Sequence, residues 1–258
     1  MEQKQNWHTY RSSINGKNAV VSVNMALFEQ FPTESHSFVM QFSVPYAADK
    51  EGLPLPEAYP ALQNAIFKAL TQLCALPETL YAGHIICDKR AILYFYTEEI
   101  MTFGQILLQS GYHSDLDVQE DPNWDLYFDF LLPSSLETKI NATEDVLKLL
   151  EQDGRDLSDI YTLEHSFYFP TKESLFDFIE HTDLERLAFN TLRYTDERVQ
   201  IDEEREVYIA KLEHETSLDK QDLFGLIENL EQLAARYSGQ YAGWTCEDFI
   251  PAKNSLMN

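Results

Sequence analysis

Gly239-Gln-Tyr-Ala-Gly-Trp-Thr-Cys-Glu-Asp-Phe249 sets two glycines and two large aromatics directly after a long amphipathic stretch. That stretch opens on Asp219, a good helix-capping residue, and places Leu223, Ile227, Leu230, Ala234 and Tyr237 at helical spacing. Gly239 stops the helix, and the segment after it reads as a closing strand. Its glycines serve the helix exit and close backbone approach, while Tyr241 and Trp244 pack or mark an edge.

Working outward from that strand, Leu187 to Tyr194 and Glu206 to Leu212 form two strands around the charged turn DERVQIDEER. Ile160 to Phe169 alternates as a strand, and Pro170 ends it. Thr171 caps a helix with Leu175, Phe178 and Ile179 on its face. A lead helix begins near Asn141, with Glu144 in a box-like position, a stripe of Val146, Leu149 and Leu150, and Gly154 as its stop. After that lead helix the order is β-α-β-β-α-β, the split pattern of a ferredoxin-like α/β sandwich with an antiparallel sheet.

The first half is a strand-rich α+β unit. Trp7 to Tyr10, Ala19 to Leu27 and Ser37 to Val44 carry strand patterns, with Asn15-Gly16 as a hairpin turn between the first two. Pro32 and Thr33-Glu34-Ser35 separate the second from the third. The prolines of LPLPEAYP delay helix until about residue 58, where Leu62, Ala65, Ile66, Ala69, Leu70 and Leu73 share a face. Gly83 to Cys87 and Ala91 to Tyr96 form a second hairpin, Glu98 to Ser110 a short helix, and Asp125 to Leu131 an alternating strand. Pro133-Ser-Ser marks the boundary, giving an α+β protein of two domains, 1–134 and 135–258.

Composition narrows the function. Asp and Glu number 43 against 19 Lys and Arg, a net charge of −24. That field repels phosphate backbones, so direct nucleic-acid binding is disfavoured, and it speeds encounter with a basic protein partner. No apolar run approaches a membrane span, and the N-terminus does not read as a secretory signal. Cys74, Cys87 and Cys246 are widely spaced, which fits a reducing cytoplasm and offers neither a disulfide framework nor a zinc site.

Candidate chemistry is thin, and no cofactor or metal is expected. DLDVQED at 115–121 gathers four acids but lacks the central glycine of a calcium loop, and reads as a solvated acidic loop. A hydrolase or metal enzyme using the acidic stretch 115–129 is the alternative to a binding protein. Alternation puts His165 with Leu163, Phe167 and Phe169, as a packed histidine away from Glu164. Cys246 stands beside Glu247 and Asp248, which oppose thiolate formation. Tyr241, Gly243 and Trp244 remain as the candidate protein-binding residues.

Two stretches carry a resemblance. TEDVLKLLEQDG, the strand LEHSFYFPT and the terminal GQYAGW resemble the RraB family, regulator of ribonuclease E activity B. That family closes on Tyr-Asp-Gly-Trp, matched here by Tyr241, Ala242, Gly243 and Trp244, with alanine in the acidic position. Trp7-His-Thr-Tyr10, Ala19 to Val23 and Arg90 to Tyr96 are similar to the domain of unknown function 695 family, which brings no chemistry with it. The resemblance implies a non-enzymatic, acidic, cytoplasmic regulator with a ferredoxin-like domain. Its implied partner is the scaffold region of a ribonuclease.

Overall fold

A computed structural model of the chain describes residues 5–31, 35–112, 115–182 and 189–246. Two compact units divide between Thr138 and Lys139. Both are mixed α and β, and every strand pairing is antiparallel.

The first unit contains β1 (Trp7–Ile14), β2 (Lys17–Asn24), β3 (Phe38–Pro45), α1 (Tyr59–Leu73), β4 (Thr79–Cys87), β5 (Arg90–Thr97), α2 (Ile100–Ser110) and β6 (Asp117–Glu120). Its sheet runs in the order β1-β2-β4-β5-β3-β6. Two-residue turns close both hairpins. Asn15 and Gly16 take φ of 51° and 73°, and Asp88 and Lys89 take 48° and 70°, the left-handed pair that matches strand twist.

Each face of this sheet has its own core. Leu62, Ile66 and Phe103 from the helices pack on Met40, Phe42 and Phe95. On the other face Tyr10, Val21, Val23 and Tyr96 meet Trp124, Tyr127 and Leu131. That second cover is a single π-helical turn, Leu126–Leu131, and not the strand expected over 125–131. The reason is tertiary. Asp121 is only 3% exposed, and its carboxylate accepts from the Asp125 and Leu126 amides at 2.8 and 3.1 Å and from the Tyr96 hydroxyl at 2.6 Å. The Tyr127 hydroxyl donates to the Asn24 carbonyl at 2.8 Å, the Tyr10 hydroxyl to the Leu131 carbonyl at 3.0 Å, and the Trp124 indole to the His36 carbonyl at 3.0 Å. A strand at this place would break that set of buried bonds.

Other expectations shift in detail. β2 ends at Asn24 and not Leu27, because the Asn24 side chain caps a 3-10 turn over Met25–Gln30. The acidic loop expected at 115–121 contains β6, an exposed edge strand paired with β3. Pro32, Thr33 and Glu34 lie outside the described residues.

The second unit contains most of α3 (Ser135–Gln152), then β7 (Tyr161–Phe169), α4 (Lys172–His181), β8 (Thr191–Tyr194), β9 (Val199–Gln200), β10 (Glu206–Thr216), α5 (Lys220–Arg236) and β11 (Gln240–Cys246). The four main strands lie in the order β11-β7-β10-β8, with β9 paired to β10 alone. Leu187 and Glu247 to Phe249, expected in strands or at their ends, are outside the described residues. The lead helix starts earlier than its expected Asn141 cap. Ser134 and Glu137 form a reciprocal capping box, with the Glu137 carboxylate accepting from the Ser134 amide at 2.9 Å. The buried stripe is accordingly Thr143, Leu147 and Leu150, while Leu149 is exposed. Thr171 and Asp219 cap α4 and α5 through their side chains, as their positions in the sequence suggest.

Asp121→Ala removes an ionised acceptor from one hydroxyl and two amides. It should destabilise the first unit by about 3 kcal/mol. Urea unfolding followed by Trp124 fluorescence checks this, and Tyr96→Phe should cost about 1 kcal/mol.

Candidate functional site

The closing strand β11 is built around a bulge. Tyr241 pairs with Phe167, Gly243 with Ser166 and Trp244 with His165, so Ala242 is the extra residue. Gly243 takes φ of 117°, a conformation that a side chain resists. Without the insertion, Tyr241 and Trp244 would point to opposite faces. With it, both lie on the face shared by His165 and Phe167. Gly239 has a different task. The αL residue at the helix exit is Ser238, with φ of 57°. A Cβ on Gly239 would collide with the Phe169 ring, so this glycine is set by close packing.

Tyr241 is fully buried. It therefore packs inward, the first of its two expected roles, and does not itself present a surface to a partner. Its hydroxyl is 2.8 Å from His165 Nδ1, and His165 Nε2 is 3.3 Å from His214 Nδ1. One proton arrangement satisfies all three: the phenol donates to Nδ1, and Nε2–H donates to His214. Phe189 packs edge-on against both imidazoles. Burial, then the charge on His214, holds His165 down to about 3, and burial also lowers His214. Burial, then Glu231, raises Tyr241. With His165 inaccessible to solvent, this neutral relay braces the core and does not meet a substrate.

Trp244 is half-buried, and its indole donates to Thr143 Oγ1 of α3 at 2.9 Å. Lys139 and Lys220 link the same helix to α5 through Glu231 and Glu151, at 3.0 and 3.4 Å. Gly243 and Trp244 thus lie on a sheet edge, β11 being the terminal strand. Cys246 is buried opposite Leu163. His214 is legible in the sequence too, because Ala210, Leu212 and His214 alternate onto the apolar face.

The other face of this sheet is polar. Glu164 accepts from Arg193 at 2.7 Å and from Lys211 at 2.5 Å, and Arg193 also pairs with Glu213. The cations there are matched by carboxylates on neighbouring strands and are not offered to a phosphate chain.

In the acidic stretch of the first unit, Asp115 accepts from Ser43, and Asp117 accepts from Gln41 at 2.6 Å. Asp121 is the buried cap, while Asp125 and Asp129 are exposed. Among the described residues, no group of three or more His, Cys, Asp or Glu is placed to hold a metal ion. No described helix is long and apolar enough to cross a membrane.

Residues 5–132 match the family model described as a family of unknown function (DUF695). Residues 140–246 match the one described as regulator of ribonuclease activity B. No curated protein matches the chain. Among solved structures, a crystal structure of an unknown protein from Galdieria sulphuraria is 10% identical, with 83% of this chain and 98% of that chain covered at a TM-score of 0.22. At that score the likeness carries no argument.

The buried His165 sets a pH dependence. Above about pH 6.5 folded and unfolded imidazoles are both neutral and the group has no effect. Below that the unfolded chain takes the proton first, so stability falls until the folded group titrates near 3. At pH 4.5 the loss should be on the order of 2 kcal/mol. Chemical denaturation of the parent and of His165→Gln at pH 7 and 4.5 checks this. The parent should lose more stability than the variant on acidification.

Proposed function

We propose that this chain, a DUF695-family domain followed by an RraB-family domain, is a non-catalytic cytoplasmic regulator that docks on a basic protein partner. The observation that carries this reading is the match of residues 140–246 to a family of ribonuclease regulators. Its closing motif also has a structural meaning here: the tyrosine is a buried brace, the half-buried tryptophan bonds to Thr143, the glycine takes the backbone angle of the bulge, and the residue between tyrosine and glycine is the inserted one.

The partner on this reading is an Arg- or Lys-rich segment of an RNA-decay ribonuclease, engaged at the β11 edge around Gly243 and Trp244. The charge of −24 supports attraction to such a segment. The pairing of Arg193 and Lys211 with Glu164 and Glu213 supports contact with protein and not with RNA. Ala242 occupies the position where the resembled family carries an acid, so that contact has one fewer charge here.

The test is binding of the full chain to the basic scaffold segment of the host's ribonuclease, measured calorimetrically at low and high salt. Affinity should fall about tenfold or more between roughly 50 and 300 mM salt. Ala242→Asp should tighten binding by about twofold to fivefold while leaving the unfolding midpoint within about 2 °C, since the bulge position accepts a side chain. Salt-independent binding, or none, would overturn the reading.

A further inference from the structure

In the first unit, a groove of about 510 Å³ runs between α1 and the side of the sheet formed by β1, β2 and β4. Trp7, Thr9, Ser22 and His84 form its floor, and Ile66, Phe67 and Leu70 of α1 form its wall. An adjoining hollow of about 360 Å³ shares most of this lining. The groove exists because β1 places no described residue in the core beneath the two helices. Tyr10 and Ile14 of β1 pack on the opposite face of the sheet.

Three properties define what would fit. The first is charge: among the described residues, no carboxylate, ammonium or guanidinium lines either hollow, although charged residues make up 24% of the chain. An ionic guest would lose its hydration without gaining a counter-charge. The second is hydrogen bonding. Tyr81 is 4% exposed and its hydroxyl is 2.7 Å from His84 Nδ1, its one hydrogen-bond partner among the described residues. The buried phenol must donate there, which places the imidazole proton on Nε2. That N–H has no acceptor among the described residues. Thr9 and Ser22 bond through their hydroxyls at 2.9 Å, which leaves one further O–H on the floor.

The third is extent. Along the same face of β1, the residues after Thr9 are Arg11 and Ser13, both exposed, and β2 adds exposed Asn18. The apolar surface is therefore a short pocket and not a strip that could seat a helix. Its volume lies within the range of small-molecule sites, about 300 to 1,000 Å³.

We propose that this groove binds an uncharged, largely aromatic small molecule, its ring against Trp7 and Phe67 and a hydrogen-bond acceptor on His84 Nε2. Burial holds the His84 imidazole down to about 4, so the donor keeps its neutral form through the physiological range. The site belongs to the first unit alone and stands or falls separately from docking by the second.

The experiment uses the full chain and two dyes. Nile red is neutral, aromatic and carries a carbonyl; anilinonaphthalene sulfonate is similarly aromatic but anionic. Nile red should saturate at one site, and the anionic dye should bind about tenfold more weakly or worse. Phe67→Asp, at a side chain 70% exposed, should weaken Nile red by about tenfold or more. Thr71→Arg, which obstructs the groove from an exposed position, should do the same by a different route. Leu108→Asp on α2, at a site 64% exposed and outside the groove, should leave affinity within about twofold. Absence of saturation, equal binding of the anionic dye, or equal losses from Leu108→Asp and Phe67→Asp would overturn the site.

Discussion

A histidine at the centre of an apolar sheet face must find partners inside the protein, and in the second unit a single inserted residue provides one. An unsatisfied buried imidazole costs on the order of 1–3 kcal/mol. The insertion at Ala242 turns Tyr241 inward so that its hydroxyl reaches His165. The same insertion brings Trp244 to that face, where its indole bonds to Thr143 on α3. One irregularity therefore satisfies the core histidine and attaches the lead helix to the sheet. The spacing of Tyr241, Gly243 and Trp244 is a record of that geometry, with two large rings on one face, one residue out of register, and a glycine for the required backbone angle.

The first unit is governed by a comparable constraint at Asp121. Its carboxylate organises the turn that covers one face of the sheet, and the hydroxyls of Tyr10, Tyr96 and Tyr127 complete the attachment. Aromatic bulk fills the space, but directional bonds decide which backbone conformation fills it. Trp124 accepts a φ of 57° within this set, an uncommon angle for a bulky residue that its surroundings hold in place.

Much of the second unit was legible because its helices and strands announce themselves by period, capping residues and prolines. The order β-α-β-β-α-β followed from those signals, and the strands pair as β11-β7-β10-β8. The failures have physical causes. Asp125 to Leu131 alternates as a strand would, yet Tyr127 and Leu131, four residues apart, are the buried pair of a helical turn, and the deciding carboxylate is tertiary. In α3, Asn141 looked like a cap, yet the box at Ser134 and Glu137 begins the helix earlier and moves the buried stripe to Leu147. The groove of the first unit left no local trace. Its floor comes from Trp7 to Ser22 and His84, its wall from Ile66 to Leu70, and only the fold brings these segments together.

The terminal position of β11 has a consequence for life at high concentration. A straight outer strand is a template on which a neighbouring copy can lay down its own main chain, bond after bond. Here the frame slips by one residue midway, so an added strand in step with Gln240 and Tyr241 falls out of step from Gly243 onward. Crowding can bring two such borders together, but it cannot extend the pairing into an ordered fibre along β11.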